Sequence, residues 1–118
     1  DSFGIENKYE PTATISDREG QLRFDLMREE NEEYLEAVRD GDLIEIADAL
    51  GDMLYILCGT ILKHGMQDKI QAVFEEIQRS NMSKLGEDGK PIYRDDGKVL
   101  KGPNYFKPNL EKVIFPDK

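Results

Sequence analysis

The chain is 118 residues long, and 25 acids against 16 bases give it a net charge of −9. That balance disfavours a nucleic-acid backbone or an anionic membrane as main partner, and no apolar run reaches the roughly 20 residues of a membrane span. A lone cysteine, Cys58, rules out an internal disulfide and fits a reducing, cytoplasmic setting; the start, Asp1-Ser2-Phe3-Gly4, does not read as a signal peptide.

The charge is unevenly spread. Residues 16–62 hold 13 acids and 4 bases, whereas residues 63–118 hold 9 acids and 11 bases. An acidic site completed by a mildly basic flap is one explanation, and plain surface variation is the other. The expected layout is a single domain: a lead over 1–15, a helical core over 16–80, and a basic flap and tail over 81–118.

In chain order, Ser16-Asp17-Arg18-Glu19 is a capping box, and the Pro-free run from Asp17 to about Arg39 repeats its apolar residues at helical spacing. Asp40-Gly41 ends that helix. Asp42, with Glu45 three residues on, caps a second, which runs to His64 and stops at Gly65. The second helix is apolar over most of its circumference, so it belongs in the centre of a bundle or at a dimer interface. A third helix is predicted over Gln67–Ser80, with Ile70, Val73, Phe74 and Ile77 inward. Beyond it, Ile92-Tyr93-Arg94 and Lys98-Val99-Leu100 flank an Asp-Gly turn and predict a small hairpin, and Pro108–Val113 a last helical turn. The fold class is all-α: an antiparallel helical bundle with a short C-terminal loop and hairpin. A fourth helix is expected either before residue 1 or from a partner subunit.

Two lines of acids run along the first helix. Asp25, Glu29, Glu32, Glu36 and Asp40 form a stripe without apolar members, which fits a solvated face. Glu30 and Glu33 instead continue the line Leu22, Leu26, Ala37 and are expected to point inward. On the second helix Glu45, Asp48, Asp52 and Tyr55 share a face. Acids midway along a buried helix need partners, and the nearby bases are Arg23, Arg28 and Arg39. A divalent cation resolves the repulsion, and an all-oxygen donor set favours Mg²⁺ or Mn²⁺ over Zn²⁺. Alternatively, these acids pair with Lys and Arg from the C-terminal third.

Of the remaining residues, Tyr34, Tyr55 and Phe24 are expected in the core, with stacking on a base as the alternative; Cys58 is expected in the core, and His64 is expected to serve the dipole at its helix C-terminus.

Glu30-x-x-Glu33, then Glu45-x-x-Asp48 with Asp52-Met53-Leu54-Tyr55, resembles the ExxE and ExxD signature of the all-α nucleoside triphosphate pyrophosphohydrolases, the MazG, dimeric dUTPase and phosphoribosyl-ATP pyrophosphohydrolase group. Residues 45–65 look like its second metal-binding helix. The stretch from Arg79 to Ile114 is similar to the tail of its MazG-like branch, so the likeness spans roughly residues 18–114. It implies that Glu30, Glu33, Glu45 and Asp48 ligate Mg²⁺. Eleven residues separate Glu33 from Glu45, one fewer than the usual minimum. Anchoring on Asp52-x-x-Tyr55 makes Asp52 a ligand instead, and the shared face lets all three contribute.

The implied reaction converts a nucleoside triphosphate to monophosphate and pyrophosphate, in nucleotide-pool clean-up. Glu33 is taken as general base with Glu30 beside it, and Lys84, Lys98 and Lys101 as positive charge for the departing pyrophosphate. Asn81 would read a sugar hydroxyl or base edge, and the lysines equally fit a solubilising loop. The enzyme is expected to be a homodimer or homotetramer. Two alternatives are a non-catalytic acidic helical dimer that binds a basic protein or divalent ions, and hydrolysis of phosphoribosyl-ATP.

Overall fold

A computed structural model describes residues 9–117. The expectation for residues 1–4 lies outside the described residues. The elements are α1 (Asp17–Arg39), α2 (Leu43–Lys63), α3 (Ile70–Met82), the strands β1 (Ile92–Tyr93) and β2 (Val99–Leu100), and α4 (Leu110–Ile114). The architecture is all-α, as the periodicity predicts. The chain divides into two compact units, Asp1–Asp68 and Lys69–Lys118, so α3 groups with the tail rather than with the first two helices.

The first unit is a helical hairpin. Ser16 Oγ accepts from the Glu19 N–H at 3.1 Å and Asp42 Oδ1 accepts from the Glu45 N–H at 3.1 Å, so both predicted caps are made. Between the helices the chain reverses over Asp40, Gly41 and Asp42. Gly41 sits at φ +64°, which lets the Asp42 N–H return to the Ala37 carbonyl at 3.0 Å. At the far end Lys63 Nζ meets Glu19 Oε1 at 3.0 Å, and Arg23 donates to Thr60 Oγ1 at 3.0 Å and to the Ile56 carbonyl at 3.3 Å. His64 closes α2, exchanging two 2.8 Å hydrogen bonds with the Thr12 backbone.

Several burial expectations are overturned. Among the described residues no large side chain is fully buried; the buried apolar residues are Ala37, Ala49 and Val73. Leu22, Phe24, Leu50, Leu54 and Tyr55 are exposed, as is Cys58. The reason is geometric: two helices offer each other only one face, and α2 is apolar around more than that.

In the second unit α3 begins at Ile70, three residues later than predicted. Residues 67–69 form a turn, and Lys69 at the N-cap offers no side-chain hydrogen bond. Val73 is buried, whereas Phe74 is 66% and Ile77 37% exposed, a further correction. The hairpin forms as predicted, Ile92 facing Leu100 and Tyr93 facing Val99, with Gly97 at φ +87° in its turn. A side-chain clasp then holds the tail to α3. Ser80 Oγ donates to the Phe106 carbonyl at 2.8 Å, the Phe106 N–H donates to Ser83 Oγ at 3.0 Å, and the Asn109 N–H donates to Glu76 Oε2 at 2.7 Å. Arg79 pairs with Glu76 at 2.9 Å and lies over the Phe106 ring, 4.3 Å from its centroid. Gly102 completes the loop: a Cβ there would stand 2.6 Å from the Lys84 carbonyl oxygen, so only glycine fits.

Candidate active site

The turn at Asp40–Asp42 forms the floor of an open cleft of about 330 Å³ between the ends of α1 and α2. Ala37 and Ala49, buried to 4% and 2% exposure, are small enough to let the helices close together there. The remaining lining residues are all acids: Glu33, Glu36 and Asp40 from α1 and its cap, Asp42 from the turn, and Glu45 and Asp48 from α2. Among the described residues no basic side chain lines it.

Three of the five predicted ligands, Glu33, Glu45 and Asp48, therefore share one cleft. Glu30 and Asp52 do not line it; Glu30 meets it through Glu33, and the charge of Asp52 acts on Glu30. Glu30 is half-buried, and its Oε2 is shielded from solvent with no hydrogen-bond donor in reach. Burial, a proton shared with Glu33, and the negative charges of Glu33, Asp52 and Glu29 push its carboxyl up from the usual 4.5 to about 7. Glu33 is thus the hinge of the arrangement, lining the cleft and touching Glu30.

One expectation is corrected here. Glu33, Glu45, Asp48 and Asp52 are exposed, not interior, because the two helices cover each other on one face only. Glu36 and Asp40 are exposed, as a solvated stripe requires, and line the cleft together with Asp42. Their sequence signal was position: they flank the Gly41 reversal, which curls the end of α1 toward the start of α2. Of the three nearby bases, Arg23 is spent on α2 and Arg28 on Asp25 and Glu32 at 3.7 and 3.8 Å.

Among the described residues no three His, Cys, Asp or Glu side chains converge closely enough to hold an ion. The chemistry of the donor set nonetheless fits a hard dication. It is all carboxylate, uncompensated by cations, and it contains a buried oxygen without a donor beside a carboxyl that retains its proton toward neutrality. Glu30, Glu33, Glu45, Asp48 and Asp52 are the residues that would hold it.

The other predicted substrate-binding residues are dispersed. Tyr55 is on α2, 60% exposed. Asn81 lies in the last turn of α3, its carbonyl accepting from the Lys84 N–H at 3.1 Å. Lys98 leads into β2, and Lys101 Nζ lies 4.9 Å from the centroid of the Tyr105 ring.

The all-helical architecture, with acids carried on two successive helices, is that of the MazG-like all-α nucleoside triphosphate pyrophosphohydrolase superfamily. Within it, the chain belongs to the phosphoribosyl-ATP pyrophosphohydrolase family, whose model matches residues 4–81. That match takes in α1, α2 and most of α3 and stops before the hairpin and tail. An uncharacterised protein of Acanthamoeba polyphaga mimivirus is 35% identical over 65 residues; they make up 55% of this chain and 26% of that protein. The chain thus spans about a quarter of the length of this curated relative. No helix among the described residues is long and apolar enough to cross a membrane.

Proposed function

We propose that the protein is a Mg²⁺-dependent pyrophosphohydrolase that cleaves a nucleoside triphosphate to the monophosphate and pyrophosphate, serving nucleotide-pool clean-up in the cytoplasm. The observation that carries this is the Glu30–Glu33 pair. One carboxyl is half-buried and holds its proton to about 7, and the other opens into a cleft whose polar lining is entirely acidic. A bare polyanion would be repelled from such a cleft. A bound Mg²⁺ or Mn²⁺ would neutralise the phosphates and lower the pKa of a water.

Within this scheme Glu30, Glu33, Glu45, Asp48 and Asp52 hold the ion. Glu33 accepts a proton from the attacking water, with the Glu30 carboxylate, its own proton displaced by the ion, beside it. Positive charge for the departing pyrophosphate is assigned to Lys84, Lys98 and Lys101, and contacts to sugar or base to Asn81 and Tyr55. The working unit is a homo-oligomer, since the apolar residues of α2 left in water call for covering.

The description of the matching family favours a second reading, in which the substrate is phosphoribosyl-ATP. One experiment separates the readings: pyrophosphate release measured across deoxynucleoside and ribonucleoside triphosphates and phosphoribosyl-ATP, with Mg²⁺ and with chelator. Metal-dependent release from a triphosphate, abolished by Glu30→Gln or Asp48→Asn, supports the first. Release from phosphoribosyl-ATP alone supports the second, and no release at micromolar enzyme refutes both and leaves an acidic binding module.

A further inference from the structure

The tail returns to the end of α3 at two places, and the two contacts fix the short stretch between them. At one, Gly102 rests on the backbone just beyond α3: a Cβ on it would stand 2.6 Å from the Lys84 carbonyl oxygen, with the Leu85 carbonyl nearer still. At the other, both backbone polar groups of Phe106 are taken by serine side chains. Ser80 Oγ, on a residue 2% exposed, donates to the carbonyl at 2.8 Å, and Ser83 Oγ accepts from the N–H at 3.0 Å. Between them the Tyr105 N–H closes a turn onto the Gly102 carbonyl at 3.2 Å. Residues 102–106 are thus laid back on residues 83–85.

Lys84 and Lys101 are seventeen residues apart in sequence, yet they flank this contact: Lys84 follows Ser83 and Lys101 precedes Gly102. The chain on the other side of Lys101 gives it little anchor, since every residue from 87 to 101 is exposed. The Lys101 ammonium lies over the Tyr105 ring, 4.9 Å from its centroid, and so belongs to the same turn. Among the described residues no carboxylate comes within ion-pair distance of Lys84 or Lys101, whereas Arg79 and Arg94 of the same unit are paired with Glu76 and Asp96. Both ammonium groups are open to an anion.

Ser83 joins these features. It caps α3, its N–H reaching the Arg79 and Ser80 carbonyls at 3.2 and 3.1 Å. Its hydroxyl is used in both senses, accepting from the Phe106 N–H and donating to the Ser80 carbonyl. A methyl group in its place would leave the Phe106 N–H without that partner and loosen one end of the turn.

We infer that Ser83 is a positioning residue: it holds Lys101 beside Lys84, so that the two ammonium groups grip one departing pyrophosphate together. The inference rests on the pyrophosphohydrolase reading above, which assigns these lysines singly, and it adds the residue that makes them a pair. As the bond between the α- and β-phosphates breaks, its electron pair leaves on the pyrophosphate while a proton of the attacking water passes to Glu33. Two fixed cations meet that charge better than two swinging ones. Once one holds the anion, the other is already at high effective concentration.

Titration calorimetry of the full chain with pyrophosphate in Mg²⁺, beside pyrophosphate release from substrate, tests this. Lys84→Met and Lys101→Met should each weaken pyrophosphate binding about tenfold or more, and Ser83→Ala about as much, with a matching fall in kcat/KM. Ser83→Thr, which keeps the hydroxyl, should bind like the parent chain. The decisive readout is the double variant. If Ser83 acts through Lys101, Ser83→Ala combined with Lys101→Met should bind no more weakly than the weaker of the two single variants. Should Ser83→Ala lose its helical circular dichroism, Gly102→Ala serves instead. Its Cβ drives the turn off the Lys84 and Leu85 carbonyls, and it should show the same loss and the same lack of additivity. Parent-like affinity in Ser83→Ala, or losses that multiply in the double variant, overturn the inference alone, as does a chain that releases pyrophosphate but does not bind it. Absence of any release by the parent chain overturns the inference together with the catalytic reading.

Discussion

Glu19 and Lys63 meet at 3.0 Å across the open end of the α1–α2 hairpin, with the lysine side chain only 8% exposed. Along the helix this pair stands about 20 Å from Glu33, so it secures the hairpin without touching the acidic cleft. Glu19→Gln strands a buried ammonium and should lower stability by about 2 kcal/mol, whereas Lys63→Met, which removes the charge and keeps the packing, should cost less. Thermal unfolding of the two variants checks the order. Metal binding in the cleft should be unchanged in both below their transitions.

Asp42 has two roles that substitution can separate. Its Oδ1 caps α2, and its charge adds to a cleft already walled by five other acids. Asp42→Asn retains a capping acceptor and removes the charge, so stability without metal should hold or rise slightly. Asp42→Ala loses the cap and should cost about 1 kcal/mol. Chemical denaturation in chelator distinguishes them.

The raised Glu30 carboxyl gives the metal-free protein an unusual pH dependence. In the folded chain it keeps its proton to about 7, but once unfolded it loses it near 4.5. Between these values the folded state binds more protons, so Glu30's contribution is complete below about 4.5 and is lost as pH rises through 7. The unfolding temperature in chelator should fall over that interval, and Glu30→Gln should flatten the decline. A saturating dication takes the place of the proton and should restore stability at pH 7 and above.

Glu76 behaves in the opposite sense. Its hydrogen bonds from Arg79, and then from the Asn109 N–H, hold its carboxyl below the ordinary 4.5. Its contribution to the tail clasp is present above 4.5 and is lost as pH falls through the lowered value. Glu76→Gln should speed amide exchange over residues 106–114 while leaving α1 and α2 protected.

How far the sequence reached can be seen element by element. The helices of the first unit were legible because local chemistry sets them: Ser16 and Asp42 cap, and Gly41 and Gly65 terminate. The hairpin was legible from the Asp-Gly turn ending at Gly97. The start of α3 was not, since Lys69 leaves no capping signature and the turn before it lacks proline. Exposure at Phe24, Leu54 and Cys58 was misjudged because periodicity shows that a face is apolar and not what covers it. In the cleft, Glu33, Glu45 and Asp48 followed from helical spacing. Glu36 and Asp40 were missed because the spacing along one helix says nothing of a turn that folds its end toward the next.

The central claim is that a hard dication takes the place of the proton at Glu30 and binds the acids around Glu33. Titration calorimetry with Mn²⁺ at pH 6.5, run in buffers of differing ionisation enthalpy, tests it most directly. Saturable binding that releases protons, weakened at least about tenfold by Asp48→Asn and stripped of its proton release by Glu30→Gln, is the predicted result. Absence of Mn²⁺ uptake at millimolar concentration, or uptake that neither substitution alters, would contradict it.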